Sequence, residues 1–92
     1  MPFFITTYAY TGDTDARLEV RPVHRAFLAG LGDALVASGP TDDGGAVLVL
    51  DADSAAQAEA LLDDDPYRAG GFIGSRHVVG WDVVLGRWAT TA

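Results

Sequence analysis

The sequence predicts an α+β domain in which four antiparallel strands form one sheet and two helices cover one of its faces. Three observations predict it. The opening segment Phe3–Tyr10 is dense in aromatic and β-branched residues, two later stretches repeat apolar residues at spacings of three and four, and two short apolar runs between them are joined by a Gly/Asp/Pro-rich link. The first composition marks a strand, the spacing marks helices, and the link marks an antiparallel hairpin.

Thr11-Gly12-Asp13 ends the first strand, and Asp13 or Thr14 can offer a side-chain oxygen to the free N–H groups of a helix starting there. That helix is expected from about Asp15 to about Gly32, with Val20, Val23, Phe27 and Leu31 as its apolar face. Pro22 falls inside it. Because Leu18 and the Arg17/Arg21 spacing already look helical, a kink at Pro22 is expected rather than a start there. Residues 34–38 and 46–50 are the hairpin strands, separated by Gly39-Pro40 and the turn-rich loop Thr41–Gly45. Asp53 or Ser54 caps a second helix, Ala55–Leu62, whose apolar side is Ala55, Ala58, Leu61 and Leu62. After Asp63-Asp64-Asp65-Pro66 and Gly70-Gly71, a last strand is expected over about His77–Leu85. The order β-α-β-β-α-β is the ferredoxin-like one, with both helices on one face. The other face needs a cover. A second copy supplies one, so a homodimer with a closed, barrel-like core is expected.

A chain of 92 residues makes one domain, taken here as residues 1–92, with a modest core. Its hydrophobic fraction of 49% is ample for a globular fold. Without cysteine it can form neither disulfides nor thiolate metal sites. The start, Met1-Pro2-Phe3-Phe4-Ile5, lacks the basic region of a secretion signal, and no apolar run approaches the ~18 residues of a membrane span. A cytoplasmic protein with no membrane association is therefore expected. The formal charge of −7 repels phosphate backbones, which argues against nucleic acid as a partner. All six basic residues are arginine, a bias that genome composition alone can produce.

Three features can carry chemistry. Arg17, Arg21 and His24 stand at spacings of four and three, one stripe beside the apolar face of the first helix. Histidine is the side chain suited to proton transfer near neutral pH, although solvated stripes of this kind are common. Asp65-Pro66-Tyr67 is the second feature. Its plain alternative is an aspartate that merely caps a turn at Pro66, in an acidic run that faces water. Ser38-Gly39-Pro40 closes a strand, a place where binding groups gather, and equally a turn that needs Gly and Pro. His24 and His77 lack ligand spacing, Gly70-Gly71 lacks a phosphate-binding pattern, and no nucleophile elbow is present. No metal or cofactor is expected. Trp81 and Trp88 fit core or dimer-interface positions.

Arg17-Leu18-Glu19-Val20-Arg21-Pro22-Val23-His24 resembles the signature of the YCII-related family. Ser38-Gly39-Pro40 with its acidic, glycine-rich loop resembles the family's Gly-Pro turn. Ser54-Ala55-Ala56-Gln57-Ala58 resembles its second-helix opening, and Asp65-Pro66-Tyr67-Arg68-Ala69-Gly70 its Asp-Pro-Tyr motif. Four motifs in order across nearly the whole chain make the resemblance specific. It implies a ferredoxin-like fold, a dimeric α/β barrel and a His–Asp site carried by His24 and Asp65. One characterised relative is a dehydrochlorinase acting on a chlorinated hydroxyquinol. The chain departs from the pattern in its short Thr41–Gly45 loop and in Gly80-Trp81 and Trp88, where basic residues are usual.

What the resemblance implies is general acid–base chemistry on a small cyclic or aromatic molecule, of lyase, dehydrochlorinase or isomerase type. His24 takes the proton and Asp65 orients its ring. Arg17 or Arg21 holds an oxyanion, and Ser38 and Tyr67 contact the substrate. The residues alone leave open which of Asp63, Asp64 and Asp65 turns inward. The alternative is a non-catalytic small-ligand-binding or accessory dimeric module, since no nucleophile, metal set or cofactor motif is present.

Overall fold

The computed structural model describes residues 3–89. The elements are β1 (Phe3–Tyr10), α1 (Thr14–Ala29), a 3-10 turn (Gly32–Ala34), β2 (Leu35–Pro40), β3 (Gly45–Asp51), α2 (Ala55–Leu62), α3 (Pro66–Ala69) and β4 (Ile73–Trp81). The sheet runs β2-β3-β1-β4, and all its pairings are antiparallel. The two strands consecutive in sequence, β2 and β3, pair as a hairpin. β1 lies between β3 and β4, which is the ferredoxin-like arrangement.

Alternation along the strands sorts residues between the two faces. Tyr8 of β1 and Ala46, Leu48 and Leu50 of β3 turn toward the helices and share one core with Leu28 of α1 and Ala58 and Leu62 of α2. Both long helices therefore cover the same face. The other face carries Ile5 opposite Val49 and Val79, and Thr7 opposite Val47 and His77. Val79 is 57% exposed there. Beyond β4 the chain brings Trp88 edge-to-face against Trp81, with centroids 6.3 Å apart. The two indoles border a hollow lined by Ile5, Ala37, Val47 and Val49.

Local signals explain the helix starts. Asp13 caps α1 by accepting from the N–H groups of Asp15 and Ala16, and Ser54 caps α2 by accepting from Gln57. Helix α1 continues through Pro22 and ends at Gly30, earlier than the expected Gly32, and the chain then tightens into the 3-10 turn that takes up Ala34. Its inner side also differs from the expected one. His24 and Leu28 are buried, whereas Val23 is 59% exposed, so the histidine stripe itself faces the sheet. The last strand is shifted toward the N-terminus, to Ile73–Trp81. Tyr10 pairs with Ile73, so β4 begins at once after Gly71-Phe72, and the apolar run Val83–Leu85 lies outside the sheet.

Candidate active site

His24 reaches the interior from the middle of α1, and Asp65 meets it from the start of α3. Pro66 stands at the first position of α3, where its missing N–H is no loss, and this leaves Asp65 extended as the cap. The Asp65 side chain accepts from the backbone N–H of Tyr67 at 2.9 Å, the ordinary capping bond. The same oxygen, Oδ1, lies 2.7 Å from His24 Nδ1. Oδ2 accepts from the Tyr8 hydroxyl at 3.0 Å. Asp65 is wholly buried, and its three donors come from β1, α1 and α3. Capping and site-building are thus one arrangement. Of the other two acids, Asp63 forms a surface ion pair with Arg76 at 2.9 Å, and Asp64 is exposed.

This geometry assigns the imidazole tautomer. An ionised carboxylate only accepts, so Nδ1 carries the hydrogen and Nε2 keeps its lone pair. Nε2 has no protein partner among the described residues and opens on a cavity of about 370 Å³. Tyr67 stacks flat on the His24 ring, centroids 3.8 Å apart with planes 3° from parallel. Tyr10 meets Tyr67 edge-on at 5.6 Å, and the Arg17 guanidinium lies 4.1 Å over the Tyr10 ring. The stack holds the imidazole in one plane and carries Arg17 to the rim.

All the residues singled out in the sequence except Asp65 line this cavity: Arg17, Arg21, His24, Ser38 and Tyr67. Asp65 lies behind the histidine. Leu28, Pro40, Ala46 and Leu48 supply the apolar wall, and the end of β2 brings Ser38 to the opposite edge. Sequence reasoning missed Tyr8, Tyr10 and Arg25. For Tyr8 the available signal was strand alternation, which puts its hydroxyl under the helices, where it must find an acceptor. Among the described residues no group of three or more His, Cys, Asp or Glu could hold a metal ion. His77 stands across from Thr7 on the uncovered face of the sheet, the side opposite His24.

The Tyr8 hydroxyl is held far above the ordinary tyrosine range, first by burial and then by the negative charge of Asp65. Its neutral form is favoured in the folded state. This stabilisation is therefore complete below the free tyrosine value of about 10 and declines as pH rises past it. Tyr10 and Tyr67 are also raised, chiefly by burial. Phenolate absorbance should accordingly appear together with unfolding in alkali rather than before it. Tyr8→Phe should flatten the alkaline loss of stability, and a Tyr8 phenolate forming in the intact fold would contradict the buried bond to Asp65.

The comparisons with known proteins agree with this architecture. Residues 1–82 match the family described as YCII-related domain. The chain belongs to the YCII-related family. Among solved structures it is similar to 5-chloro-2-hydroxyhydroquinone dehydrochlorinase from Burkholderia phenoliruptrix in complex with 2,5-dihydroxybenzoquinone. That likeness has a TM-score of 0.72 and 25% identity over 88% of this chain and 93% of the other. It also resembles an uncharacterized NIPSNAP domain protein from Burkholderia xenovorans, with a TM-score of 0.59 and 18% identity over 99% of this chain and 100% of that one. A structural-genomics protein from Agrobacterium tumefaciens matches at a TM-score of 0.60 and 16% identity, covering 97% of each chain. The last two likenesses concern the fold alone. No curated protein matches the chain significantly. No helix among the described residues is long and apolar enough to cross a membrane.

Proposed function

We propose that this YCII-related chain is an acid–base enzyme of lyase type, close in chemistry to a dehydrochlorinase or an isomerase, acting on a small ring-shaped substrate. The observation that carries the proposal is the buried His24–Asp65 bond at 2.7 Å, which leaves Nε2 as a lone-pair base at the wall of a cavity large enough for one ring. The similarity to a dehydrochlorinase with a dihydroxyquinone in complex supports the same class of substrate. Neutral His24 takes the proton of a ring hydroxyl or of a carbon beside a carbonyl. The electron pair left behind moves into the ring, and a leaving group such as chloride departs with its own pair. Asp65 keeps the ring oriented and stabilises the imidazolium that forms. Arg17 and Arg21 hold the developing oxyanion, Ser38 bonds the far side of the ring, and Tyr67 fixes the imidazole plane. Such a base contributes roughly 10²–10⁴-fold, sufficient for an activated quinol and insufficient for an inert ring.

The working unit is a homodimer in the cytoplasm. Support comes from the uncovered sheet face, where Val79, Trp81 and Trp88 are 57%, 37% and 40% exposed. A second copy laid on that face removes these exposed apolar side chains from water.

The test is chloride release from a chlorinated hydroxyquinol by the parent chain and by His24→Ala, with light scattering on both. The parent is expected to turn over, the variant to lose at least a hundredfold, and both to give the mass of two chains. Unchanged turnover in the variant removes His24 from the chemistry, and a folded parent with the mass of one chain removes the dimer.

A further inference from the structure

We infer that the ligand of the His24 cavity is a dianion, a single ring or short chain with two acidic groups set apart, read by the guanidinium row Arg17, Arg21 and Arg25. This deepens the acid–base reading and rests on it for the location of the site.

The distribution of charge carries the inference. The chain has 13 acidic residues against 6 basic ones, yet no Asp or Glu lines this cavity and three of the six arginines do. Of the three other arginines, Arg68 and Arg76 both approach Asp63. Among the described residues none of the three cavity arginines has a carboxylate within ion-pair distance. Among the described residues the one acid at the site is Asp65, buried behind the imidazole. Three cations against that one carboxylate leave a surplus of two positive charges, which a dianion would neutralise.

The row is also unfavourable for the helix that bears it. Like charges four residues apart repel, and Arg17 stands near the N-terminal end of α1, where the helix dipole already disfavours a cation. Within the empty protein no described carboxylate offsets this, and the Tyr10 ring meets Arg17 alone. All three guanidiniums pull on the Tyr67 hydroxyl against the effect of its burial, so their fields converge on the cavity. Arg17 is already posed over Tyr10. Successive arginines are displaced by about 6 Å along the helix, roughly the separation of groups across a six-membered ring. Leu28, Pro40, Ala46 and Leu48 provide the apolar surface for the body of such a ligand.

Calorimetric titration of the full chain with benzene-1,4-dicarboxylate, benzoate and hydroquinone, at low and high salt, tests this. The dicarboxylate is expected to bind roughly ten- to a hundredfold more tightly than benzoate, hydroquinone to bind most weakly, and the advantage to shrink with salt. Arg25→Gln should lower dicarboxylate affinity more than benzoate affinity, collapsing the ratio without moving the melting temperature. Hydroquinone binding as tightly as the dicarboxylate, an unchanged ratio in Arg25→Gln, or no binding of either acid at millimolar concentration overturns the inference. The two readings fail separately. Preference for the neutral ring together with lost turnover in His24→Ala rejects the dianion alone, whereas dicarboxylate preference with His24 idle rejects the acid–base chemistry alone.

Discussion

Asp65→Ala should destabilise the domain by about 3–5 kcal/mol, whereas Asp65→Asn should remain folded and still lose most of its turnover, by a factor of about 10² or more. Removing the carboxylate strands three buried donors at once: the Tyr8 hydroxyl, His24 Nδ1 and the Tyr67 N–H. Each buried donor without a partner costs about 1–3 kcal/mol, a large share of the 5–15 kcal/mol by which a domain is stable. An asparagine avoids this. Its carbonyl oxygen can replace Oδ1 and accept from His24 and Tyr67, and its amide group can face Tyr8, whose hydroxyl is able to turn and accept. The imidazole then keeps its tautomer, and only the negative charge beside it is lost. Denaturant unfolding and chloride release, measured on both variants, separate the two roles. Unaltered stability in Asp65→Ala argues against the three-donor network, and full turnover in Asp65→Asn argues that the charge is not used.

Gly45→Ala should be nearly as damaging, at about 3 kcal/mol, with ligand binding lost in parallel. Gly45 opens β3 opposite Ala9, and a Cβ there would overlap the carbonyl oxygen of Tyr8. The obstacle is backbone, so no rotamer change relieves it, and β1 must move away from β3 at the residue that holds Asp65. Gly39→Ala is the matching control. A Cβ at Gly39 meets nothing within 4 Å, so its stability should stay within about 0.5 kcal/mol of the parent. Urea midpoints of the two variants decide the matter. Equal midpoints would mean that β1 yields freely at Tyr8, contrary to its central place in the sheet.

Much of this fold is legible in the chain because local chemistry and tertiary demand agree. Phe3–Tyr10 and Ala55–Leu62 begin and end where composition and caps place them. The shift of β4 has a physical reason. Val83, Val84 and Leu85 look like strand interior, but none of the described residues pairs with them, and pairing with β1 selects Ile73–Trp81 instead. Helix periodicity likewise chose Val23 for the interior, although the inner position belongs to His24, since a buried imidazole with a carboxylate partner sits on the inner face as readily as an apolar side chain. His24, Asp65, Arg17 and Arg21 were legible as residues of a resembling motif, and Arg25 was not. Tyr8 was not, because its role depends on a contact 57 residues away in sequence. Without the motif, which acid of the Asp63–Asp65 run turns inward was hidden as well, because the choice is made by the four-residue helix at Pro66.

The Asp65 carboxylate ties β1, α1 and α3 together and also orients the His24 imidazole, so stripping the acceptors from that end of the cavity threatens the folded state. The rim carries no such burden: Ser38, Arg21 and Arg25 are exposed, and among the described residues their side chains make no hydrogen bond on which the core depends. Descendants of this chain can therefore drift to new ligands by altering the rim while inheriting the His24–Asp65 pair intact. Lineages built on this scaffold are expected to diverge in what they accept far sooner than in the buried pair itself.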